Sequence, residues 1–236
     1  LSSSESPGTY KIGDDIDFKI TFNDYVLPTD GLLTATFNTT NTATATTASD
    51  NWSINSSYAT EWSGSFTVQE GDNVANLSVS QVTMSGGTLY DKTQTTSTLN
   101  TANYLTMPVT SFTTNINDGV SLELDGVRPT ITSVTSTSPD GSYSEGEVIS
   151  LTVNFSENVT LSTGNLQVTL ETGDTDNTLD IAAVDIVSTS SAIGTYTVQS
   201  GDESSDLSVK SVALTGGGSL TDAAGNALTS FAIATN

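Results

Sequence analysis

Apolar and polar residues along this chain alternate with a period of two. Ile16, Phe18, Ile20 and Phe22 alternate with mostly polar neighbours, and so do Ile149, Leu151, Val153 and Phe155. Leu166, Val168 and Leu170 repeat the pattern, as do Tyr196 and Val198. Successive side chains of a strand point to opposite faces, so the alternation predicts strands with one buried and one wet face. Turn-forming residues separate the runs: Pro139-Asp140-Gly141, Thr172-Gly173-Asp174, Gly201-Asp202 and Gly216-Gly217-Gly218. No stretch sustains a helical period. The pattern predicts an all-β chain, with strands at Thr130 to Ser136 and Val148 to Phe155 and a polar turn at Ser156-Glu157-Asn158.

The pattern occurs twice. Ser6-Pro7-Gly8-Thr9-Tyr10-Lys11-Ile12-Gly13-Asp14 matches Ser138-Pro139-Asp140-Gly141-Ser142-Tyr143-Ser144-Glu145-Gly146-Glu147, with one extra residue in the second copy. Phe66-Thr67-Val68-Gln69-Glu70-Gly71-Asp72 matches Tyr196-Thr197-Val198-Gln199-Ser200-Gly201-Asp202. Leu77, Val79, Val82, Met84 and Gly86 then match Leu207, Val209, Val212, Leu214 and Gly216. Order is kept, and spacing nearly so, until copy one gains about a dozen residues between Asp91 and Thr110. About seven short strands per copy fit an antiparallel β-sandwich. Repeat 1 is placed at 1–124 and repeat 2 at 125–236, with a linker at about 124–130.

Charge narrows the function. The chain has 27 acidic residues against 5 basic, a formal charge of −22. It would repel nucleic acid and anionic lipid and attract cations. No apolar window is long enough to cross a bilayer, so membrane insertion of this segment is not expected. Cysteine and histidine are both absent. That removes thiol nucleophiles, the usual zinc sites, the commonest general base and the Ser-His-Asp arrangement. An enzyme is not expected.

Strand parity then places the loops. If strands run up and down, Ser156-Glu157-Asn158 and the loop Thr221-Asp222-Ala223-Ala224-Gly225-Asn226 both fall at the linker pole of copy two. The same layout aims Asp14, Asp15, Glu70 and Asp72 of copy one toward copy two. Crowded carboxylates repel one another unless a cation sits among them. Carboxylate, amide and backbone oxygens suit a hard ion, and Ca²⁺ takes six to eight of them. The candidate ligands are Asp125, Glu157, Asp222 and Asn226, with Asp14, Asp15 or Asp72 completing the shell.

Asp125-Gly126-Val127-Arg128-Pro129-Thr130-Ile131, Ser138-Pro139-Asp140-Gly141-Ser142-Tyr143, Val153-Asn154-Phe155-Ser156-Glu157-Asn158-Val159 and Thr221-Asp222-Ala223-Ala224-Gly225-Asn226 together resemble bacterial immunoglobulin-like repeats. Such repeats stand in tandem in large surface proteins and adhesins. The resemblance covers nearly all of copy two and most of copy one. It implies two tandem immunoglobulin-like sandwiches in a cadherin-like string, stiffened by Ca²⁺ at the junctions, with neighbouring repeats as partners. Copy one departs from the signature, with Asn23-Asp24-Tyr25-Val26 in place of Ser-Glu-x-Val.

The expectation is an extracellular extender or spacer segment at a cell surface. Two alternatives stand beside it. Trp52, Tyr58 and Trp62 could stack on a surface glycan, or fill the core. Leu1 to Glu5 reads as the tail of a first strand, and copy two stops before a counterpart of 118–125. The chain is then either cut from a longer array or a filament subunit that self-assembles by strand addition.

Overall fold

A computed structural model describes residues 1–28, 32–40, 59–85, 89–91 and 109–233. The chain divides into unit 1, Leu1–Val127, and unit 2, Arg128–Asn236. It is all-β apart from one short 3-10 turn in unit 2 among the described residues. No helix among them is long and apolar enough to cross a membrane.

Unit 1 runs β1 (Ser2–Ser3), β2 (Gly8–Lys11), β3 (Asp15–Pro28), β4 (Leu32–Phe37), β5 (Ala59–Thr67), β6 (Asn73–Val74), β7 (Val79–Ser85), β8 (Leu89–Asp91) and β9 (Leu122–Asp125). One sheet has the order β1-β3-β5, with β8 also on β3; β4 pairs with β7; and β9 lies between β2 and β6. Inward positions of these sheets form one core that includes Ile16, Phe18, Leu33, Phe37, Phe66, Val82, Leu122 and Leu124. Phe37 meets the edge of Phe18 at a centroid distance of 5.3 Å and tilts against Phe66 at 4.7 Å. Leu122 and Leu124 are 0% exposed, each worth about 1.5–3 kcal/mol as apolar area removed from water.

Unit 2 runs β10 (Ile131–Ser136), β11 (Val148–Leu161), β12 (Asn165–Glu171), β13 (Asn177–Ala182), the 3-10 turn Ala183–Asp185, β14 (Thr189–Thr197), β15 (Ser208–Thr215) and β16 (Leu220–Thr221). One sheet is β10-β11-β14 with β16 on the end of β11; the other is β13-β12-β15. Both sheets feed one core: Val153 and Ala192 from the first, Leu166, Val168, Ile181 and Val212 from the second. That is a sandwich-like arrangement.

The duplication reaches down to single bonds. Gly13 N–H donates to the Val68 carbonyl at 2.9 Å, and Gly146 N–H donates to the Val198 carbonyl at 2.9 Å. Both glycines have φ near +87°, at 88° and 86°, a conformation that favours glycine. Gln69 N–H donates to Asp72 Oδ2, and Gln199 N–H to Asp202 Oδ2. The Tyr10 hydroxyl donates to the Ser6 carbonyl, and the Tyr143 hydroxyl to that of Pro139.

Two features depart from the sequence expectation. First, the strand expected to end at Phe155 continues to Leu161, because residues 155–158 bulge out opposite a single residue of β14 before pairing resumes at Val159↔Thr189. β3 bulges at the same place, between Thr21 and Val26. Second, not every pairing is antiparallel: β9 runs parallel to β2, with Leu124 opposite Tyr10. The unit boundary also falls after Val127, so Asp125 closes unit 1, where it pairs with Asn73 of β6 and Lys11 of β2.

Candidate metal centre

Glu157 sits in the bulge of β11. Along that strand Ile149, Leu151, Val153, Phe155, Val159 and Leu161 are all buried. Glu157 is in phase with them, yet it is a carboxylate and only half-buried. A charge in an inward phase is costly unless it finds partners, and the bulge lifts it from the apolar face. Bulges of this kind re-aim side chains.

β16 brings the second carboxylate. It pairs antiparallel with the end of β11, Thr160↔Thr221 and Leu161↔Leu220, so the chain leaving Thr221 passes alongside the bulge. There Asp222 begins a tight loop closed by its own N–H to the Asn226 carbonyl at 3.1 Å. Its Oδ1 accepts from the N–H groups of Gly225 at 2.7 Å and Asn226 at 2.8 Å, and its Oδ2 accepts from Asn226 Nδ2 at 2.9 Å. Asp222 is 6% exposed and Asn226 2%. The Asp-Ala-Ala-Gly-Asn sequence folds this way because aspartate and asparagine bond nearby backbone and Gly225 supplies a φ of 97°. One carboxylate oxygen of Glu157 and one of Asp222 lie within 4.8 Å of each other.

The start of unit 2 is fastened to the same end. Thr130 N–H donates to Ser156 Oγ at 3.0 Å, and Ser156 N–H donates to the Thr130 carbonyl at 2.9 Å. Arg128 Nη1 donates to the Ala227 carbonyl at 3.1 Å.

Asp125 is the third acidic residue of the group, which could hold a metal ion. It ends β9, on the segment that leads into Arg128. Gly126 pins this segment: its N–H donates to the Asp72 carbonyl at 2.6 Å, and its carbonyl accepts from Gly71 N–H at 2.8 Å. A Cβ on Gly126 would lie 2.4 Å from the Gln69 carbonyl oxygen, so no larger residue fits without a backbone shift. Asp125 Oδ1 accepts from Val127 N–H at 3.2 Å, turning the chain. Three carboxylates offer a hard oxygen set, with no nitrogen or sulfur.

The other expected ligands make hydrogen bonds within their own units. Asp14 accepts from Lys11 N–H and ion-pairs with its ammonium at 2.7 Å. Partial burial pulls the Asp14 carboxyl upward, but the Lys11 bonds and charge hold it below the ordinary carboxylate value. Asp15 Oδ1 accepts from the Thr67 hydroxyl across the β3–β5 pair. Asp72 is fully buried; its Oδ2 accepts from Gln69 N–H, and its Oδ1 has no hydrogen-bond partner among the described residues. None of the three belongs to the acidic group of Asp125, Glu157 and Asp222. Asn226 orders the loop through Asp222.

Of the aromatic trio, Trp52 and Tyr58 lie outside the described residues. Trp62 packs half-buried against the unit 1 core. The fastening by Arg128 and the Ser156 hydroxyl carries no signal in the sequence, since a lone arginine and a serine among many serines form no pattern. Comparison with family models, with curated proteins and with solved structures finds no match.

Proposed function

We propose that this chain is an extender segment of an extracellular surface protein, in which Ca²⁺ held by Asp125, Glu157 and Asp222 stiffens the step from unit 1 into unit 2. The observation that carries the reading is the acidic group itself. Glu157 is set by a bulge, Asp222 by a tight loop, and Asp125 by the segment that Gly126 pins. A chain of charge −22 gains from a divalent cation at the place where its carboxylates crowd. Support also comes from repetition: two sandwich-like units built on one bonding plan, with no catalytic cysteine or histidine, suit a structural role over a reaction. The resemblance to tandem surface-protein repeats points the same way. Ca²⁺ would convert a hinge into a strut, and the load would pass along the β-sheets of each unit.

The test is thermal unfolding and small-angle scattering in millimolar Ca²⁺ and again in chelator. A ligand present at a hundred times its Kd adds about 2.7 kcal/mol, a rise in Tm on the order of 10 °C for units of this size. The particle should also lengthen. Glu157→Gln, which leaves the Asp222 loop intact, should abolish most of the Ca²⁺-linked rise. An equal response in wild type and Glu157→Gln, or no response in either, would sink the reading.

A further inference from the structure

The outer faces of the two matched sheets, β1-β3-β5 and β10-β11-β14, differ in charge. In unit 1 the outward positions of β3 and β5 include Asp15, Asp17, Lys19 and Glu61, with Lys19 and Glu61 ion-paired at 3.0 Å. The repeat puts Val148, Ser150, Thr152 and Ser191 of unit 2 at those four positions, and Ile193 at that of Ser63. The ladders agree: Lys19↔Ser63 and Thr21↔Glu61 correspond to Thr152↔Ile193 and Asn154↔Ser191. Strand β10 adds Ser133 and Thr135, opposite Asn154 and Thr152. Segments 129–139, 148–156 and 186–201, which carry the three strands of this unit 2 sheet up to its bulge, hold no Asp, Glu, Lys or Arg. In a chain with 27 acidic residues, one sheet face is free of charge.

What stands there instead is exposed and β-branched. Val148 is 53% exposed and Ile193 62%. Both point away from the core, since Ile149 and Ala192 hold the inward phase. Thr135, Thr152, Thr195 and Thr197 lie in the adjoining rows, so methyl and hydroxyl groups cover the face. The fold does not demand neutrality here, because unit 1 builds the same strands with four charges on this side. Nor is it general to unit 2, whose other sheet carries Glu171, Asp180 and Lys210.

Charge also selects the occupant. A basic partner gains most on acidic faces. An acidic partner is repelled from them, and it can approach where no carboxylate stands. A second copy of this chain, itself at −22, is such a partner. Twofold pairing sets the same patch on both sides, so it brings uncharged face to uncharged face. We infer that two copies of the chain pair through the outer faces of their β10-β11-β14 sheets, packed about 10 Å apart as aligned sheets are. At a strand spacing of about 4.8 Å and a rise of about 3.4 Å per residue, seven residues of three strands cover about 350 Å² per copy. That is roughly half the area of a standard stable interface. The pair is therefore transient, with a Kd on the order of 0.1–1 mM. The inference uses neither the proposed cation nor a strand edge.

The experiment follows methyl resonances and sedimentation equilibrium of the full chain, in chelator, across concentrations that bracket this Kd. The expected result is a dimer whose formation shifts Val148, Ile193 and the neighbouring threonines. Added salt should strengthen it, because salt screens the repulsion of the remaining carboxylates. Val148→Asp with Ser150→Asp installs the residues that unit 1 carries at 15 and 17, so the fold accommodates them. This pair should weaken the dimer about tenfold or more, since like charges set face to face cost more than a decade of affinity. Thr178→Asp with Ala213→Asp adds the same charge to exposed positions of the other sheet and should leave the Kd within about threefold. A chain that stays monomeric throughout the range overturns the inference. So does an equal loss in both double variants, which would mean general repulsion, and so do shifts confined to other faces.

Discussion

Unit 1 buries both Phe66 and Asp72; unit 2 has Tyr196 and Asp202 at the two matching positions of the repeat. The tyrosine hydroxyl donates to Asp202 Oδ2, and Asn177 Nδ2 donates to Oδ1 at 2.7 Å, so both oxygens of that carboxylate are engaged. In unit 1 Asp72 Oδ2 accepts from Gln69 N–H without a ring hydroxyl beside it, and Oδ1, the oxygen that Asn177 serves in unit 2, has no partner among the described residues. Conversely, unit 1 seals its core with Leu122 and Leu124, while Val198, Leu207 and Val209 of unit 2 stay half-buried. The matched carboxylate is therefore held differently in the two copies: both oxygens are engaged in unit 2, and one in unit 1 among the described residues. A buried acceptor left without a donor costs about 1–3 kcal/mol, which apolar burial of two leucines is large enough to offset.

The largest expected effect comes from opening unit 1. Leu122→Ala with Leu124→Ala should remove about 4–10 kcal/mol, at 2–5 kcal/mol for each buried leucine, enough to unfold a domain of ordinary stability. Val209→Ala in the half-buried floor of unit 2 should cost far less. Separate unfolding transitions by calorimetry would measure both, and equal losses would erase the contrast between the units. Next is Gly126→Ala. Its Cβ meets the Gln69 and Asp72 backbone, and forcing that space should cost about 1–3 kcal/mol. Faster hydrogen exchange at the Gly71 and Gly126 amides would report it.

The polar half of the comparison is tested by exchanging the rings. Burial, then the hydrogen bond to Asp202, pushes the Tyr196 hydroxyl up to about 12 from an ordinary 10.0. A raised folded value favours the neutral form. Its contribution to stability is complete below pH 10 and fades as pH rises from 10 to 12. Asp202 has the opposite sign. Burial pulls its carboxyl upward, but the bonds from Tyr196, Gln199 and Asn177 outweigh that and hold it low, so its contribution is lost only in acid. Tyr196→Phe should destabilise unit 2 at neutral pH and flatten its decline above pH 10. Phe66→Tyr should stabilise unit 1 by up to about 1 kcal/mol by giving Asp72 a donor. Denaturation midpoints across pH 8–12 decide it.

Much of this was legible in the sequence. Period-two alternation located the inward residues of β11, β12 and β14, and the paired Gly-Asp and Pro-Gly segments marked the repeated turns. Asp125, Glu157 and Asp222 could be singled out because loop parity and oxygen-donor chemistry both pointed at them. The bulge at 155–158 was not legible: Ser-Glu-Asn reads as a turn, and only pairing with β14 and β16 shows that the strand resumes. Nor was the parallel β2–β9 pair, since pairing direction depends on where a distant segment returns. Asp14, Asp15 and Asp72 lie outside the acidic group of Asp125, Glu157 and Asp222, and composition does not show that Lys11, Thr67 and Gln69 are bonded to them.

The bulge also bears on how such a chain can diversify. From Phe155 to Val159, as from Phe22 to Val26, the step is four positions, an even number, so the strand leaves the bulge facing the way it entered. Residues within it can change identity without flipping any side chain downstream. Here one copy carries Ser-Glu-Asn and the other Asn-Asp-Tyr. The bulge is thus a replaceable cassette on an unchanging rail: recognition chemistry can be rewritten there by point substitution while the sheet inherits its register intact.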